Sequence, residues 1–385
     1  MATFLATQSD LDQLPRTAFG ASLPGQDALW ISSPSCPLRR QVPSFVDNEQ
    51  YLTATHRHDA WRDDPHHCSE ISYVVLHDAQ IVEEWLVLDR HRRWFSPLIP
   101  PFPRSLMEAR GVLPGEGSPP RARVRHDRTH HVSGDTVLLP VTSPSISHLL
   151  FEGLGCLGQF SGLSPSILLL THLPAAFVEL IERTGHHRDR VLSREPTRQL
   201  FSAEARATAW HFDRLIVPIY SFGLHPGMAP TFERIRRSSD PGTESELLYV
   251  SRFDALKRRV MLNEDEVAAT VEKLGFRVLV CSDVPESEKL AEFASAKLIV
   301  GPLGAGLYNC LFSSIQTRIV ALAAGLYIPH FLSLCASLKQ QKYGLFYGPE
   351  FLSYDPHGQR GRCNNFVVNV PQLERRLTHL LDRSE

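Results

Sequence analysis

"IVGPLGAGLYNCLF", residues Ile299 to Phe312, runs from an apolar strand end through three closely spaced glycines into an apolar stretch with helical spacing. Glycine lets a backbone turn or approach another group closely, and a helix that begins there presents unpaired N–H groups and the positive end of its dipole. That combination attracts phosphate. The plainer reading is that Gly304 and Gly306 only let the helix lie close to a strand. The spacing of Gly301, Gly304 and Gly306 is G-x-x-G-x-G, not the dinucleotide fingerprint G-x-G-x-x-G, and it falls late in the chain, which disfavours a nicotinamide dehydrogenase.

The residues on either side give the turn its setting. Strand "LLYVSR", helix "NEDEVAATVEKLG", strand "FRVLVCS", helix "ESEKLAEFASA", strand "KLIV", the glycine turn and strand "RIVAL" alternate strictly, which implies a parallel sheet covered on both faces. Asn263 as N-cap, Glu266 three residues on and Gly275 just past the end define the first of those helices. Strand "FVVNV" and a helix opened by Pro371 close the chain. Upstream, "SSDPGTESE" reads as a linker. Before it, from Pro144, "SPSISHLLFEGLGCLGQF" is helical, "SILLL" a strand, "PAAFVELIERTG" a helix and "DRLIVPI" a strand. Earlier still, the runs from Ile71 read as a β-meander and the aperiodic stretch over 102–134 as a long loop. The expected organisation is therefore an amino-terminal domain over 1–240, β-rich over about 70–143 and β/α over about 144–220, followed by a second, Rossmann-like β/α domain over 241–385. Ligand clefts in such folds lie at the carboxyl ends of the strands.

The chain has 385 residues, 43% hydrophobic and 21% charged, with a formal net charge of -2, so no global field favours nucleic acid. Seven cysteines are scattered without a C-x-x-C pair, which reads as reduced thiols in a cytoplasmic protein. The start has no basic segment before an apolar core, and no apolar run is long enough to span a membrane. "HRHDAWRDDPHHC", with His56, His58, His66, His67 and Cys68, invites a zinc reading, but no strand or helix fixes four ligands there, so it reads as a polar loop and no metal is expected.

"SRFDALKRRVMLNEDEV", "LGFRVLV", "LAEFASAKLIVGPLGAGLYNCLF" and "RIVAL" together resemble the carboxyl-terminal half of the family 61 glycosyltransferases, including bacterial members labelled capsular polysaccharide biosynthesis proteins. The match runs in unbroken order from about Leu247 to Leu322, and "HLLFE", His148 to Glu152, resembles a family helix in which a histidine precedes an acid by four residues. The resemblance implies a GT-B architecture, two Rossmann-like domains facing across a cleft, with the β-rich part as an amino-terminal extension. It also implies inverting sugar transfer from a nucleotide donor, UDP being the expected nucleotide, without a cofactor or essential metal. The acceptor would be a glycan or lipid-linked saccharide in bacterial surface-polysaccharide synthesis, with the enzyme cytoplasmic or peripheral at the inner membrane face. Arg252, Arg259, Asn263, Glu264, Gly304, Ala305, Gly306, Leu307 and Asn309 fall on the family's donor-side motifs. Two positions depart from the pattern: Leu303 stands where histidine is usual and Ala321 where an acid is usual. A catalytically silent, glycan-binding relative is the alternative these departures suggest.

The residues support the same assignments on their own chemistry. Arg252 and Arg259 could hold a diphosphate beside the glycine turn, or be surface cations next to Lys257 and Arg258. Asn263 has a sufficient explanation as a helix cap, and Asn309 could reach a ribose or phosphate or bond its own backbone. His148 and Glu152, four apart, project from one helix face. An imidazole oriented by a carboxylate suits proton removal from an acceptor hydroxyl near neutral pH. Either residue could be the base.

Overall fold

The computed structural model describes residues 2–9, 11–18, 24–51, 66–82, 86–95, 121–126, 128–139, 141, 145–160, 162–169, 173–193, 208–219, 223–239, 246–254, 259–325, 329–351 and 365–382. Two compact units emerge, one comprising Met1–Cys36 and Cys68–Thr231, the other Pro37–His67 and Phe232–Glu385. A single cut near residue 240 does not describe this division. Residues 37–67 depart from it because the strand Val46–Asp47 adds to the second unit's sheet, where Asp47 takes both N–H groups of the Arg376 fork at 2.6 Å. The second unit also starts earlier than the linker, at Phe232.

The first unit is built on one eleven-stranded mixed sheet. Its centre is β1 (Ile71–Val82), β2 (Arg128–Leu139), β3 (Ser166–Leu169), β4 (Val191–Ser193) and β5 (Thr208–Pro218). Strands β2 to β5 are parallel in the spatial order β4-β3-β2-β5, and β1 joins β5 antiparallel. The β-rich and β/α parts are thus one sheet, not an extension beside a domain. Where the sequence suggests a loop over 102–134, the described residues form the strand Arg121–His126 and the first half of β2. The early part of β2 is polar and exposed, so it carries no alternating apolar signal. Leu138, Leu168, Phe212, Leu215 and Val217 share a buried core with Trp94 and Phe95.

After β2 comes a helical run over 146–157, α1, whose middle, Leu149–Leu154, widens to π geometry. Gly153, Gly155 and Gly158 let α1 approach its neighbours. A Cβ at Gly153 would lie 2.9 Å from Leu139 Cδ1, one at Gly155 2.5 Å from Met228 Sδ, and one at Gly158 1.8 Å from Thr231 Oγ1. These three glycines spell G-x-G-x-x-G, yet inside a helix instead of at a strand-to-helix turn, so they serve close packing. Helix α2 (Ala175–Arg183) joins β3 to β4, and α3 (Ala229–Arg237) carries the chain into the second unit.

The second unit holds a six-stranded parallel sheet: β6 (Leu247–Ser251), β7 (Arg277–Val280), β8 (Leu298–Pro302), β9 (Arg318–Ala324), β10 (Tyr343–Gly348) and the strand Val46–Asp47, in the order β7-β6-β8-β9-β10-Val46 strand. Every pairing is parallel. Helices α4 (Glu264–Lys273) and α7 (Val370–Asp382) cover one face, burying Val267, Val271, Leu373 and Leu377 against Tyr249, Val300 and Leu322. The segment between β8 and β9, Ala305–Phe312, is a 3₁₀ helix that packs with α5 (Glu286–Ser295) and α6 (His330–Lys339). The alternation of strands and helices in this unit follows the apolar periodicity that the sequence carries. Helix α6 and β10 fall between "RIVAL" and "FVVNV", where no element is read from the sequence, and of "FVVNV" only Phe366 is strand, paired through Asn365–Phe366.

Candidate functional site

Each unit's run of parallel strands has one place where successive connections leave in opposite directions, and ligands of open α/β sheets bind outside the carboxyl ends of the strands at that switch point. In the first unit it lies between β2 and β5, and in the second between β6 and β8. Arg252 directly follows β6, Gly304 to Gly306 follow β8, and His148 and Glu152 lie on the helix that comes after β2.

In the first unit, α1 starts a few residues past the end of β2. His148 sits where α1 widens into the π segment, and Glu152 lies within that segment. Irregular helical turns of this kind are frequent at functional sites. His148 Nδ1 is 2.7 Å from Glu152 Oε1, with the imidazole about one-third exposed and the carboxylate side chain at 0%. That bond assigns the proton of the neutral ring to Nδ1, which leaves the lone pair on Nε2 as the basic edge. The pair expected from the i,i+4 spacing is therefore formed, with histidine outward and glutamate inward.

In the second unit, Arg252 follows the last residue of β6 and lies against the glycine turn at the end of β8. Its Nη1 donates to the Leu303 carbonyl at 3.1 Å. A Cβ on Gly304 would fall 2.0 Å from that same Nη1, so glycine at 304 is what admits the guanidinium. The Gly304 backbone is extended (φ -179°) and needs no glycine for its conformation. Gly301 and Gly306 are closed in by β6 instead, their added Cβ atoms lying 2.5 Å from Val250 O and 3.2 Å from Val250 Cγ1. Leu303 and Ala321 are both buried, and the Leu303 contact to Arg252 is made by the backbone, so it does not depend on the side chain there.

Glu264, the first residue of α4, is the hub that holds Arg252. Its Oε1 accepts from the Arg252 N–H at 2.7 Å, the Ser251 hydroxyl at 2.9 Å and the Tyr249 hydroxyl at 3.4 Å. Burial raises its carboxyl above the usual range, and these hydrogen bonds oppose the rise. The "NE" pair signals this residue in the sequence, but only the fold shows what its oxygen holds.

Two asparagines make hydrogen bonds within the protein. Asn263 stands at the N-cap position but makes no side-chain cap bond: its amide donates to Val368 O at 2.8 Å and accepts from Val368 N–H at 2.9 Å, clasping the segment that leads to α7. Asn309 is buried at 1% exposure and donates to Gly306 O at 2.8 Å, taking the carbonyl that a regular α-turn would use and bracing the 3₁₀ helix. Ala305 and Gly306 open that helix, where N–H groups have no intrahelical partner. Arg259 is half-buried with a left-handed backbone (φ 55°), adjoining 255–258, which with Lys257 and Arg258 lie outside the described residues. Of the proposed zinc ligands, His56 and His58 also lie outside them; among the described residues no group of three His, Cys, Asp or Glu side chains is placed to hold a metal ion.

With this geometry in view, the comparisons are direct. The family model described as glycosyltransferase 61 matches residues 87–320, more than half of the chain. The chain belongs to that family and is a transferase enzyme that moves glycosyl groups. No curated protein matches it. Among solved structures, the chain is similar to the dodecameric iron-containing heptosyltransferase TibC in complex with ADP-D-beta-D-heptose, at 14% identity over 64% of this chain and 68% of that one, with a TM-score of 0.27. A likeness this loose carries neither the fold nor the ligand of that protein over to this chain.

Proposed function

We propose that this enzyme transfers a sugar from a nucleoside diphosphate donor, UDP being the nucleotide favoured by the family resemblance, to a glycan or lipid-linked saccharide acceptor, with inversion and without a metal. The observation that carries the reading is Arg252 seated on the Gly304 turn at the switch point of a parallel sheet. In this reading the fold is of the GT-B type, with the donor held by the second unit and the acceptor by the first. The β- and α-phosphates lie against Arg252 and the N–H groups that open the Ala305–Phe312 helix, with Arg259 as a second cation. As the glycosidic bond to the donor breaks, charge grows on the leaving diphosphate, and a fixed guanidinium with helix N–H groups stabilises it where other transferases use a divalent ion. Neither β/α half carries a D-x-D pair at a strand end, the usual carboxylate grip for such an ion.

His148 then takes the proton of the attacking acceptor hydroxyl on Nε2, while Glu152 keeps the ring oriented and stabilises the imidazolium. The acceptor oxygen bonds to the anomeric carbon from the face opposite the departing diphosphate, which inverts the configuration. A panel of nucleotide sugars, assayed for transfer or slow hydrolysis in the presence of a chelator, tests this. Turnover that survives chelation supports the reading, and loss restored by magnesium or manganese would falsify the metal-free part of it. Surface-polysaccharide assembly at the inner membrane face is the proposed setting; no helix among the described residues is long and apolar enough to cross a membrane.

A further inference from the structure

Cys36, Cys68 and His225 meet in the first unit on segments that the proposed transfer does not use. The strand Cys36–Leu38 pairs with the strand His66–Cys68 in a small separate sheet, and the Cys68 thiol hydrogen-bonds with Cys36. His225 sets the chemistry at Cys36. Its Nδ1 accepts from the Gly227 N–H at 2.9 Å, which places the ring proton on Nε2, and Nε2 lies 3.0 Å from Pro34 O and 3.3 Å from Cys36 Sγ. The imidazole edge thus lies against the Cys36 sulfur, between it and the Pro34 carbonyl. Cys36 is partly exposed and Cys68 is buried, an arrangement suited to an attacking and a resolving thiol. Burial and the neighbouring sulfur push the Cys68 thiol up to about 11, which keeps it a thiol at neutral pH and makes it the slower, resolving partner.

The position of the two cysteines in the chain gives the pairing a consequence. Cys36 is the last residue before the chain leaves the first unit, and Cys68 is the first after it returns. Between them the chain supplies the Val46–Asp47 strand to the second unit's sheet. A bond between Cys36 and Cys68 would close that excursion at its base.

We propose that Cys36 and Cys68 form a reversible dithiol–disulfide site, oxidised by a low-molecular-weight disulfide, that locks residues 37–67 into a covalent loop. The Cys36 thiolate attacks one sulfur of the small disulfide, forming a mixed disulfide and releasing one small thiolate. The Cys68 thiolate then attacks the Cys36 sulfur, forming the internal disulfide and releasing the second. Two protein thiols are oxidised and one small disulfide is reduced to two thiols, so atoms and electrons balance. A second contacting pair, Cys310 with Cys335, is fully buried and serves as an internal control.

The test incubates the full-length native protein with oxidised glutathione, blocks remaining thiols with an alkylating agent, and maps cysteines by peptide mass spectrometry without reduction. The expected result is a Cys36–Cys68 cross-linked peptide that disappears with dithiothreitol, while Cys310 and Cys335 stay uncross-linked. In Cys68→Ser, a stable glutathione adduct should accumulate on Cys36 instead, and His225→Ala should slow modification of Cys36 by about tenfold. Absence of the cross-link in the wild-type protein, with Cys36 still fully alkylated, would overturn the proposal whether or not the variants fold. So would stoichiometric zinc bound to the isolated protein and lost in Cys36→Ser, because the thiols would then be metal ligands.

Discussion

At the scale of single residues, the two clusters differ in what they should do when altered. His148→Ala removes the proposed base while leaving the donor-side contacts in place, so turnover should fall by about a hundredfold or more with nucleotide affinity nearly unchanged. Glu152→Gln should cost less if the carboxylate only orients the ring, and more if it is the base, which makes the order of the two variants a measure of roles. Gly304→Ala sets a methyl where Arg252 Nη1 now lies, and the far end of an arginine can move aside. Its expected signature is weakened nucleoside diphosphate binding, read by calorimetry, with little change in thermal stability; a large loss of Tm instead would show that the turn itself depends on glycine. Glu264 separates in the same way. Glu264→Gln keeps an acceptor oxygen for Arg252, Ser251 and Tyr249 and should be tolerated, whereas Glu264→Ala orphans those donors at a cost of about 2 kcal/mol or more, measurable by denaturant unfolding.

At the scale of elements, α1 depends on its glycines. Thr231 is β-branched and cannot swing clear of a methyl 1.8 Å from its Oγ1, so Gly158→Ala should destabilise by about 1–3 kcal/mol, and a change below a few tenths would contradict the close approach. Elements also show how far the sequence could be read. The alternation from β6 to β9 was legible because buried parallel strands are continuous apolar runs and the helices between them carry periodic apolar faces, α4 ending at Gly275 with a left-handed backbone (φ 88°). The glycine turn and the His148 and Glu152 spacing were legible for the same local reasons. The early part of β2 was not, since a polar exposed strand has no local signature and is fixed only by its partner β5. Nor were the tasks of Asn263 and Asn309. Asparagine suits a cap, a ligand or a backbone clasp equally well, and it is the tertiary placement of Val368, and for Asn309 the tight turn at Gly306, that decides.

For the whole molecule, charge placed between elements should make stability depend on pH. Glu233 of α3 is held down to about 2, chiefly by its hydrogen bonds to Arg236, with Lys339 of α6 and Arg237 adding to them. Lys339 itself is lowered because its burial outweighs the attraction of Glu233. A depressed carboxyl contributes stability that is fully present above its unfolded range near 4.5 and is lost as pH falls toward 2. Glu233→Gln should therefore cost about 1 kcal/mol at neutral pH, after allowing for solvent screening, and nothing near pH 2; an equal loss at both would show that charge is not what matters. Whether the second unit's switch point grips a donor diphosphate can be read by titrating UDP and uridine calorimetrically into the wild-type protein and Arg252→Ala. UDP should bind the wild type more tightly than uridine, by about tenfold or more, and Arg252→Ala should erase most of that difference while leaving uridine binding unchanged. Equal affinity for UDP and uridine in the wild type, or an equal loss of both in the variant, would contradict it.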